Sequence, residues 1–412
     1  MSAAKQYQHP EYGEFLYPIK EGVDYRLPEN RMYLAMAWQE TLCYTEEHNQ
    51  QLRLMLWAVD HDETLSDDQK MEQKLWCAFL WGCCYNLIGP LTIMDTFPYP
   101  PVGAGELQVF ADWYNKNFDR MRFDTDCRYR KSKMIACVTS YVEWLGSRTQ
   151  FEAYLPMLEE ASDTKRFEQL WETCNSWKYF GRLSNWNTIE AIELATDHRY
   201  KVDIPSFMLD DVSGSESNRN GAAFLAGRDE LVTKHGKLKT TGETISRDAC
   251  HELEFFAEGA FRKARKELGH LSFINRLNAE TSIFCWFKKF FRLKSTRYVG
   301  WDGERTYEEL EYIMTAWSEV CTNPIWEARK ALLPDFLLCE TAPNGVQRGV
   351  VKAKMPLFYE TGFPEHIFRF QRGERWAFPS VSNEKGRSPS FKAPKAVPAV
   401  KPTNANVLDF FG

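Results

Sequence analysis

The chain has 412 residues, enough for one large domain or several ordinary ones with a real hydrophobic core. Its 44% hydrophobic and 26% charged residues exclude a chain that is disordered or collagenous throughout. A net charge of −6 excludes a polycation of the histone kind, so any nucleic-acid contact must be local. Aromatic residues make up 15% of the chain, which indicates large packed helical interfaces or surfaces that stack flat ligands such as bases.

The common signatures of enzymes and metal sites are missing from the sequence. It has no P-loop, no dinucleotide-binding glycine motif, no His-Glu-x-x-His and no Gly-x-Ser-x-Gly. The eleven cysteines form no Cys-x-x-Cys pair, and the eight histidines do not cluster, so we expect reduced thiols and no zinc site. We expect no cofactor, although assistance by a divalent metal ion stays open. The polar N-terminus lacks the apolar core of a signal peptide.

Helical periodicity dominates the chain from Pro28 onward. Residues 75–94 carry no charge over 20 positions, the length of a membrane span. Asn86 and the Gly89-Pro90 break interrupt this stretch, so we predict a buried helix over about 67–87 followed by a turn. Further amphipathic runs predict helices over about 106–122, 132–146, 150–160, 163–177, 185–197, 218–234, 246–267, 278–292 and 306–330.

We therefore predict a mainly α fold of two packed helical lobes, and only residues 369–378 alternate as a short hairpin or extended element would. The expected units are an N-terminal helical lobe (1–150), a helical catalytic or DNA-binding lobe (151–340), a C-terminal extension packed on the body (341–379) and a tail (380–412). The tail is rich in proline and lysine and poor in bulky apolar residues, which predicts a disordered linker.

The linker ends in an apolar peptide, which is unusual because exposed apolar clusters cost solubility unless a partner covers them. This peptide resembles the short C-terminal segments that bind sliding clamps, so we expect a clamp partner. The alternative is a tail that folds back on the body. The residues concerned are Val407, Leu408, Asp409, Phe410 and Phe411.

The first of four polar constellations is a cation-rich run that begins after Asp126 and precedes the helix predicted from about residue 132. Cations near a helix N-terminus oppose the helix dipole, and a bridging anion would relieve that conflict. We expect Arg128, Arg130 and Lys131 to contact the DNA backbone. The alternative is a solvated charge run.

The second constellation places Gly181-Arg182 between aromatic residues at the entrance of a predicted helix, with Tyr179 just before it and Asn185 just after. A cation beside stacking surfaces suits a nucleotide phosphate with its base. The alternative is that Ser184 or Asn185 only caps the helix.

The third constellation is a polar stretch, residues 210–221, that contains Arg219 and Asn220. We predict a glycine-bracketed loop of the kind that can line a phosphate or flipped-base site; the alternative is a surface turn. In the fourth, residues 280–305, basic and aromatic residues interleave. Its Lys288, Arg292 and Arg297 form a possible backbone-binding stripe, and Asp302 and Arg305 offer an acid and a cation in one turn.

Three of these blocks together resemble a known family. The first block is Tyr179-Phe-Gly-Arg182, followed by Trp186, and the second is Ser217-Asn-Arg219-Asn-Gly221. The third block begins with Glu280-Thr281, continues through Cys285 and Lys288, and ends with Arg297-Tyr-Val-Gly300-Trp-Asp302 and Arg305. The order and content of these blocks resemble the phage α-glutamyl/putrescinyl thymine pyrophosphorylases, also called amino acid:DNA transferases, which are related to the helical domain of 5-hydroxymethyluracil DNA kinases. The resemblance covers about residues 30–340. The absence of the kinases' P-loop favours the transferase branch.

The resemblance implies a soluble phage enzyme, in the cytoplasm of the infected bacterium, that displaces (pyro)phosphate from activated 5-hydroxymethyluracil in DNA. The donor would be an amino acid or polyamine. Such a step needs cations for the leaving phosphate, a proton acceptor and aromatic surfaces for an extruded base. We expect catalytic roles for Asp126, Arg182, Arg219, Lys288 and Asp302, and base-binding roles for Tyr179, Asn185, Asn220 and Arg305.

Two other functions stay open at this point. The chain could be a non-catalytic helical accessory factor that presents DNA to another enzyme. A base-excising DNA glycosylase is the weaker option.

Overall fold

A computed structural model describes residues 8–9, 11–45, 50–124, 126–212, 214–285, 287–292, 309–310, 312–313, 315–320, 340–341, 347–348 and 358–373. The described part is mainly α-helical, as the periodicity predicts. Its helices are α1 (Pro28–Thr45), α2 (Gln50–Asp60), α3 (Asp67–Cys84), α4 (Ile88–Thr96), α5 (Ala104–Asn117), α6 (Met134–Leu145), α7 (Gln150–Leu158), α8 (Asp163–Ser176), α9 (Arg182–Ala195), α10 (Glu216–Leu225), α11 (Arg247–Leu268), α12 (Arg276–Ala279), α13 (Phe287–Arg292), α14 (Phe358–Thr361) and α15 (Glu365–Gln371).

Shorter elements connect these helices. A π-helix covers Glu280–Cys285, and 3₁₀ turns cover Phe118–Arg120, Arg128–Lys133, Asp229–Leu231 and Ser318–Val320. Six two-residue strands form three antiparallel pairs, β1 (Gln8–His9) with β2 (Gly13–Glu14), β3 (Thr233–Lys234) with β4 (Lys237–Leu238), and β5 (Glu340–Thr341) with β6 (Gln347–Arg348).

The uncharged stretch from residue 75 to 94 is divided between α3 and α4. Ser66 caps α3 through a capping box with Gln69, and Tyr85 ends it in the left-handed conformation (φ 47°). The break comes earlier than the predicted Gly89-Pro90. Pro90 lies in the first turn of α4, where its missing N–H costs no helical hydrogen bond. Among the described residues, no helix is long and apolar enough to cross a membrane.

Helices α3 and α9 pack closely at the centre of the fold. A Cβ on Gly82 of α3 would lie only 1.8 Å from Thr188 Oγ1 of α9, so a larger residue would push these helices apart. Helix α9 begins at Arg182 after Gly181, three residues earlier than predicted. Ser184 and Asn185 are buried within its first turn and do not cap it, so the alternative that one of them only caps the helix is wrong. Ser184 Oγ instead donates to the Gly82 carbonyl at 2.8 Å.

The predicted helix over 218–234 is wrong beyond Leu225. Gly227 (φ +71°) adopts the left-handed conformation just after α10, and a 3₁₀ turn and the β3–β4 hairpin follow. His235 and Gly236 both have positive φ, as a tight two-residue hairpin turn requires. The loop predicted over 210–221 is also wrong from Glu216 onward, because those residues form the start of α10.

The predicted helix over 278–292 is present but divided, with α12, the π-helix and α13 following one another. A π-helix accommodates one extra residue per turn, and such segments concentrate at functional sites. Gly221 of α10 faces this segment, and a Cβ there would lie 1.8 Å from the Phe284 carbonyl oxygen.

The extended element predicted from Arg369 is wrong over its first three residues, which end helix α15. Buried Ile367, Phe370 and Gln371 recur with helical spacing, and this face packs inward. The Gln371 side chain bonds the backbone of Ile19 (2.6 Å) and Tyr17 (2.9 Å), which fixes α15 against the N-terminal segment. Residues 374–378 lie outside the described part.

The buried apolar side chains, from Phe15 to Phe370, belong to one continuous core. This core crosses residue 150, because α3 contacts both α7 and α9. The division into two lobes stays a prediction. Nearly all described cysteines are buried thiols, and none forms a disulfide.

Candidate functional site

Three of the four polar constellations meet where the first turn of α9, the first turn of α10 and the π-helix come together. Arg182 lies between two acids, with Nη2 3.6 Å from Glu280 Oε1 and Nη1 3.8 Å from Asp211 Oδ2. Lys288 Nζ donates to Ser217 Oγ and also acts electrostatically on Glu280. We call these five residues (Arg182, Asp211, Ser217, Glu280 and Lys288) the Arg182 cluster.

Arg182 is held in place and still reachable. Its guanidinium carbon lies 4.9 Å from the ring centroid of Trp186, one turn further along α9, which is a cation–π arrangement. Its side chain keeps 15% of its surface exposed. Its contacts with acids are 3.6 Å or longer, so part of its donor capacity is available for a ligand oxygen.

Glu280 is the central acid of the cluster. Only 7% of the residue is exposed, and burial raises the pKa of its carboxyl to about 7, against the lowering effects of Arg182 and Lys288. A carboxyl that titrates near neutral pH can accept a proton from a reacting group. The π-helix begins at this residue.

Close packing of α10 on the π-helix brings the cluster together. Because Gly221 lacks a Cβ, α10 approaches the Phe284 backbone closely. Ser217 lies one turn before Gly221, where it meets Lys288 of α13. The Gly221 position therefore sets the distance between the hydroxyl of Ser217 and the ammonium of Lys288.

Arg219 and Asn220 are fully buried, and Arg219 donates to the backbone carbonyl of Asp211, a member of the cluster, at 3.2 Å. Arg219 donates to the carbonyls of Leu209 (3.0 Å) and Val212 (3.0 Å). Asn220 exchanges hydrogen bonds with the Thr233 backbone at 2.8 and 3.0 Å. Both side chains hold the loop before α10 and strand β3. Their contact with phosphate or pyrimidine stays a prediction.

Asn185 is likewise an interior residue. It is fully buried, and its Nδ2 donates to Asn175 Oδ1 of α8 at 2.5 Å. Its contact with the base stays a prediction.

The cation-rich run before α6 divides into buried and exposed members. Arg130 is 1% exposed and donates to the carbonyls of Tyr179 (3.1 Å) and Gly82 (3.2 Å), so it holds the backbone in the described structure. Its contact with the DNA backbone stays a prediction. Lys131 is half-buried, with its ammonium 4.4 Å from the Phe118 ring centroid, and burial lowers its pKa. Asp126 and Arg128 are exposed, and Asp126 has no contact with the Arg182 cluster among the described residues.

Tyr179 presents an exposed ring just before Arg182. It is 44% exposed and adopts a left-handed backbone (φ 64°), which is rare for a bulky residue. Arg130 holds its carbonyl, and the Lys133 ammonium lies 5.4 Å from its ring centroid. Tyr129, 54% exposed, lies against the same Arg130 guanidinium at 4.8 Å. We call Tyr129, Lys133 and Tyr179 the Tyr179 surface.

Sequence reasoning missed four acids near the site. Asp211 and Glu280 fall within the third and fourth constellations but carry no predicted role, and Glu190 and Glu193 were not singled out. The sequence contains a pattern that could have identified both of these glutamates. Along one face of α9, helical spacing places them in line with the start of the helix, in the series Arg182, Trp186, Glu190 and Glu193. Both glutamates are at most 5% exposed and border a cavity of about 310 Å³.

Several predicted site residues cannot be placed. Arg292 belongs to α13, but its side chain is not described. Arg297, Asp302, Arg305 and the peptide Val407–Phe411 lie outside the described residues. Among the residues that the structure describes, no group of three or more His, Cys, Asp or Glu side chains is arranged to hold a metal ion.

Comparison with known proteins gives two matches. Residues 46–295 match the family described as amino acid:DNA transferase. The chain is similar to a serinyltransferase of Salmonella phage ViI, with 57% identity over 363 residues, which cover 88% of each chain. No solved structure matches the chain.

Proposed function

This chain belongs to the amino acid:DNA transferase family, and on that premise we propose that it joins an amino acid to activated 5-hydroxymethyluracil in DNA. The activated base carries a phosphate or pyrophosphate ester on its exocyclic methylene, and that group is displaced. One observation supports this chemistry above the others: the Arg182 cluster sets a buried acid of near-neutral pKa between two cations.

The proposed step is a displacement at the methylene carbon. A nucleophilic atom of the amino acid forms the new bond to this carbon, while the carbon–oxygen bond breaks and its electron pair leaves with the (pyro)phosphate. Arg182 and Lys288 neutralise the charge that develops on the leaving oxygen. Glu280, in its carboxylate form, takes the proton that the nucleophile loses. Ser217 holds the Lys288 ammonium in position.

The Tyr179 surface is suited to receive the DNA. Its exposed rings can stack on a base, and Lys133 adds a cation for the strand. Arg130 contributes indirectly, because its guanidinium fixes the backbone of Tyr179. Since Tyr179 precedes Arg182 by three residues, a base drawn out of the helix beside it would bring its methylene towards the cluster.

We propose serine as the donor. The support is the name of the Salmonella phage ViI relative, which shares 57% identity with this chain. Serine offers two nucleophiles, the amine nitrogen and the hydroxyl oxygen, and either loses one proton on transfer. The reaction would take place in the cytoplasm of a phage-infected bacterium.

The test uses three otherwise identical duplexes that contain thymine, 5-hydroxymethyluracil or its phosphorylated forms. Each is incubated with the full-length protein and a mixture of amino acids and polyamines, digested to nucleosides and analysed by mass spectrometry. We expect an adduct, with serine as donor, only from a phosphorylated base. Binding to all three duplexes without any adduct would favour an accessory factor, and abasic sites would indicate a glycosylase; either result would refute the proposal.

The C-terminal tether is a separate proposal. It rests on the sequence of the last residues alone, which lie outside the described part. Deleting Val407–Gly412 should abolish co-elution with a sliding clamp and leave transfer on short oligonucleotides unchanged. Retained co-elution would refute the tether without touching the proposed chemistry.

A further inference from the structure

A cavity of about 310 Å³ lies beside the C-terminal half of α9, outside the Arg182 cluster. Ligand pockets in proteins span roughly 300–1,000 Å³, so this volume suits a small metabolite rather than a nucleotide within a strand. We call it the Glu193 cavity. Its wall includes the polar residues Gln39, Arg53, Glu190, Glu193, His198 and Ser282.

Two buried polar atoms of this wall are unsatisfied. Gln39 Oε1 and Ser282 Oγ have no hydrogen-bond partner among the described residues, although the two residues are only 6% and 2% exposed. An unmade hydrogen bond at a buried polar group destabilises the folded state, so native proteins seldom leave such groups unpaired. The Gln39 carbonyl oxygen can only accept a hydrogen bond, so a ligand that satisfies it must carry a donor.

The charged residues of the cavity wall indicate what kind of hydrogen-bond donor the ligand carries. Glu190 and Glu193 are 5% and 4% exposed, and burial raises the pKa of Glu193 although Asn275 donates to it at 3.1 Å. His198 Nδ1 lies 3.4 Å from the same carboxyl. Two buried carboxylates beside an unsatisfied carbonyl oxygen suit an ammonium group. Arg53, in the same wall, supplies a guanidinium for a carboxylate.

We infer that the Glu193 cavity binds the free amino-acid donor as a zwitterion. Glu190, Glu193 and Gln39 receive its ammonium, and Arg53 receives its carboxylate. This inference rests on the proposed function, which supplies the donor, and adds the site where that donor is held.

The cavity adjoins the Arg182 cluster, as the proposed transfer requires. Ser282 follows Glu280 by two residues in the same π-helix. Glu190 lines the cavity and acts electrostatically on both Glu193 and Glu280, so the cavity wall is within electrostatic reach of the cluster. An amino acid bound in the Glu193 cavity therefore approaches the cluster from the C-terminal half of α9, whereas the Tyr179 surface lies before the N-terminus of α9.

The first experiment measures binding of L-serine to the full-length protein by calorimetry, without DNA. Two probes each lack one charge of the zwitterion: ethanolamine has no carboxylate, and 3-hydroxypropionate has no ammonium. We expect L-serine to bind, and each probe to bind about 10-fold or more weakly, because each probe loses the charge-assisted hydrogen bonds of one charged group. Absence of L-serine binding, or equal affinity for either probe, would overturn the inference.

The second experiment uses Ser282→Ala, which removes a hydroxyl that has no hydrogen-bond partner among the described residues. This change should leave thermal stability unchanged or slightly higher and should weaken L-serine binding. Thr188→Val is the matched control, because Thr188 Oγ1 is also buried without a hydrogen-bond partner in the described part of the chain but faces Gly82 rather than the cavity. The control should keep wild-type affinity. Gln39→Leu removes the other unsatisfied polar atom of the cavity and should weaken binding as well.

These outcomes separate the inference from the proposed function. If DNA receives serine but Ser282→Ala and Gln39→Leu leave the KM for serine unchanged, the cavity assignment is wrong and the transfer stands. If both variants weaken L-serine binding but no phosphorylated DNA is ever modified, the cavity assignment stands and the proposed function fails.

Discussion

Replacing Glu280 with glutamine should make the protein more stable and much less active. Burial raises the pKa of this carboxyl from 4.5 to about 7. At about 1.4 kcal/mol per pKa unit, that difference corresponds to about 3 kcal/mol of folding free energy. Glutamine has nearly the same shape and no charge, so it avoids the cost of burying a carboxylate at high pH.

The direction of the pH dependence follows from the raised pKa. The folded protein holds the Glu280 proton more tightly than the unfolded chain does. The contribution of Glu280 to stability is therefore fully present below about pH 4.5 and is lost as the pH rises through about 7. The stability of Glu280→Gln relative to wild type should accordingly increase by about 3 kcal/mol between pH 4.5 and 8, measured by urea denaturation.

Glu280→Gln should lower the rate of transfer even though it stabilises the fold. Removal of a general base typically lowers turnover by about 100-fold to 10,000-fold. The wild-type kcat/KM for transfer should rise with pH through about 7, where Glu280 loses its proton, and Glu280→Gln should lose this acidic limb.

Glu40 provides a control for the burial effect. It is fully buried and burial raises its pKa to about 7, but it accepts hydrogen bonds from the backbone N–H groups of Leu16 and Tyr17 and lies outside the Arg182 cluster. Glu40→Gln should shift the pH dependence of stability in the same direction and keep transfer activity. A stability difference between wild type and Glu280→Gln that is flat from pH 4.5 to 8 would refute the reasoning.

Three further predictions follow from the packing and exposure of named residues. Arg182→Ala should lower kcat for transfer by about 100-fold while DNA binding in a filter assay is retained, because this guanidinium acts on the leaving group; loss of binding without loss of turnover would contradict its role. Tyr179→Ala should weaken binding of single-stranded DNA by about 1–3 kcal/mol through lost stacking, whereas Phe255→Ala, which removes a 77% exposed ring of α11, should not. Gly221→Ala should destabilise the protein by at least about 1–3 kcal/mol because its Cβ would overlap the Phe284 carbonyl, whereas Gly259→Ala in α11 meets open space and should stabilise it by about 0.5–1 kcal/mol. Equal unfolding midpoints for the two glycine variants would show that close packing at Gly221 is not required.

The sequence predicts a helix well where a capping residue is followed directly by an apolar periodic run. The Ser66 cap and the apolar period that follows it predict α3, and the capping box of Thr149 begins α7 where the amphipathic run begins. Errors arise where a backbone feature ends a helix without breaking its apolar pattern. Tyr85 and Gly227 both do so by adopting positive φ.

The candidate site was predictable in part, because its residues lie in three separate polar blocks of the sequence. Arg182 and Lys288 were identified from charge and aromatic neighbours, and the structure brings them into one cluster with Glu280. Residue type alone does not distinguish a cation that faces a ligand from one that holds the backbone. Arg130 and Arg219 illustrate this, since both are buried and bonded to carbonyl oxygens.

The central claim is that the Arg182 cluster carries out displacement of (pyro)phosphate by an amino acid. A single-turnover reaction with isotopically labelled L-serine and DNA containing a 5-phosphomethyl- or 5-pyrophosphomethyl-uracil measures it directly. We expect one released phosphate or pyrophosphate for each labelled nucleoside formed, with both rates reduced together in Arg182→Ala and Glu280→Gln. Phosphate release without a labelled nucleoside, or full rates in both variants, would contradict the claim.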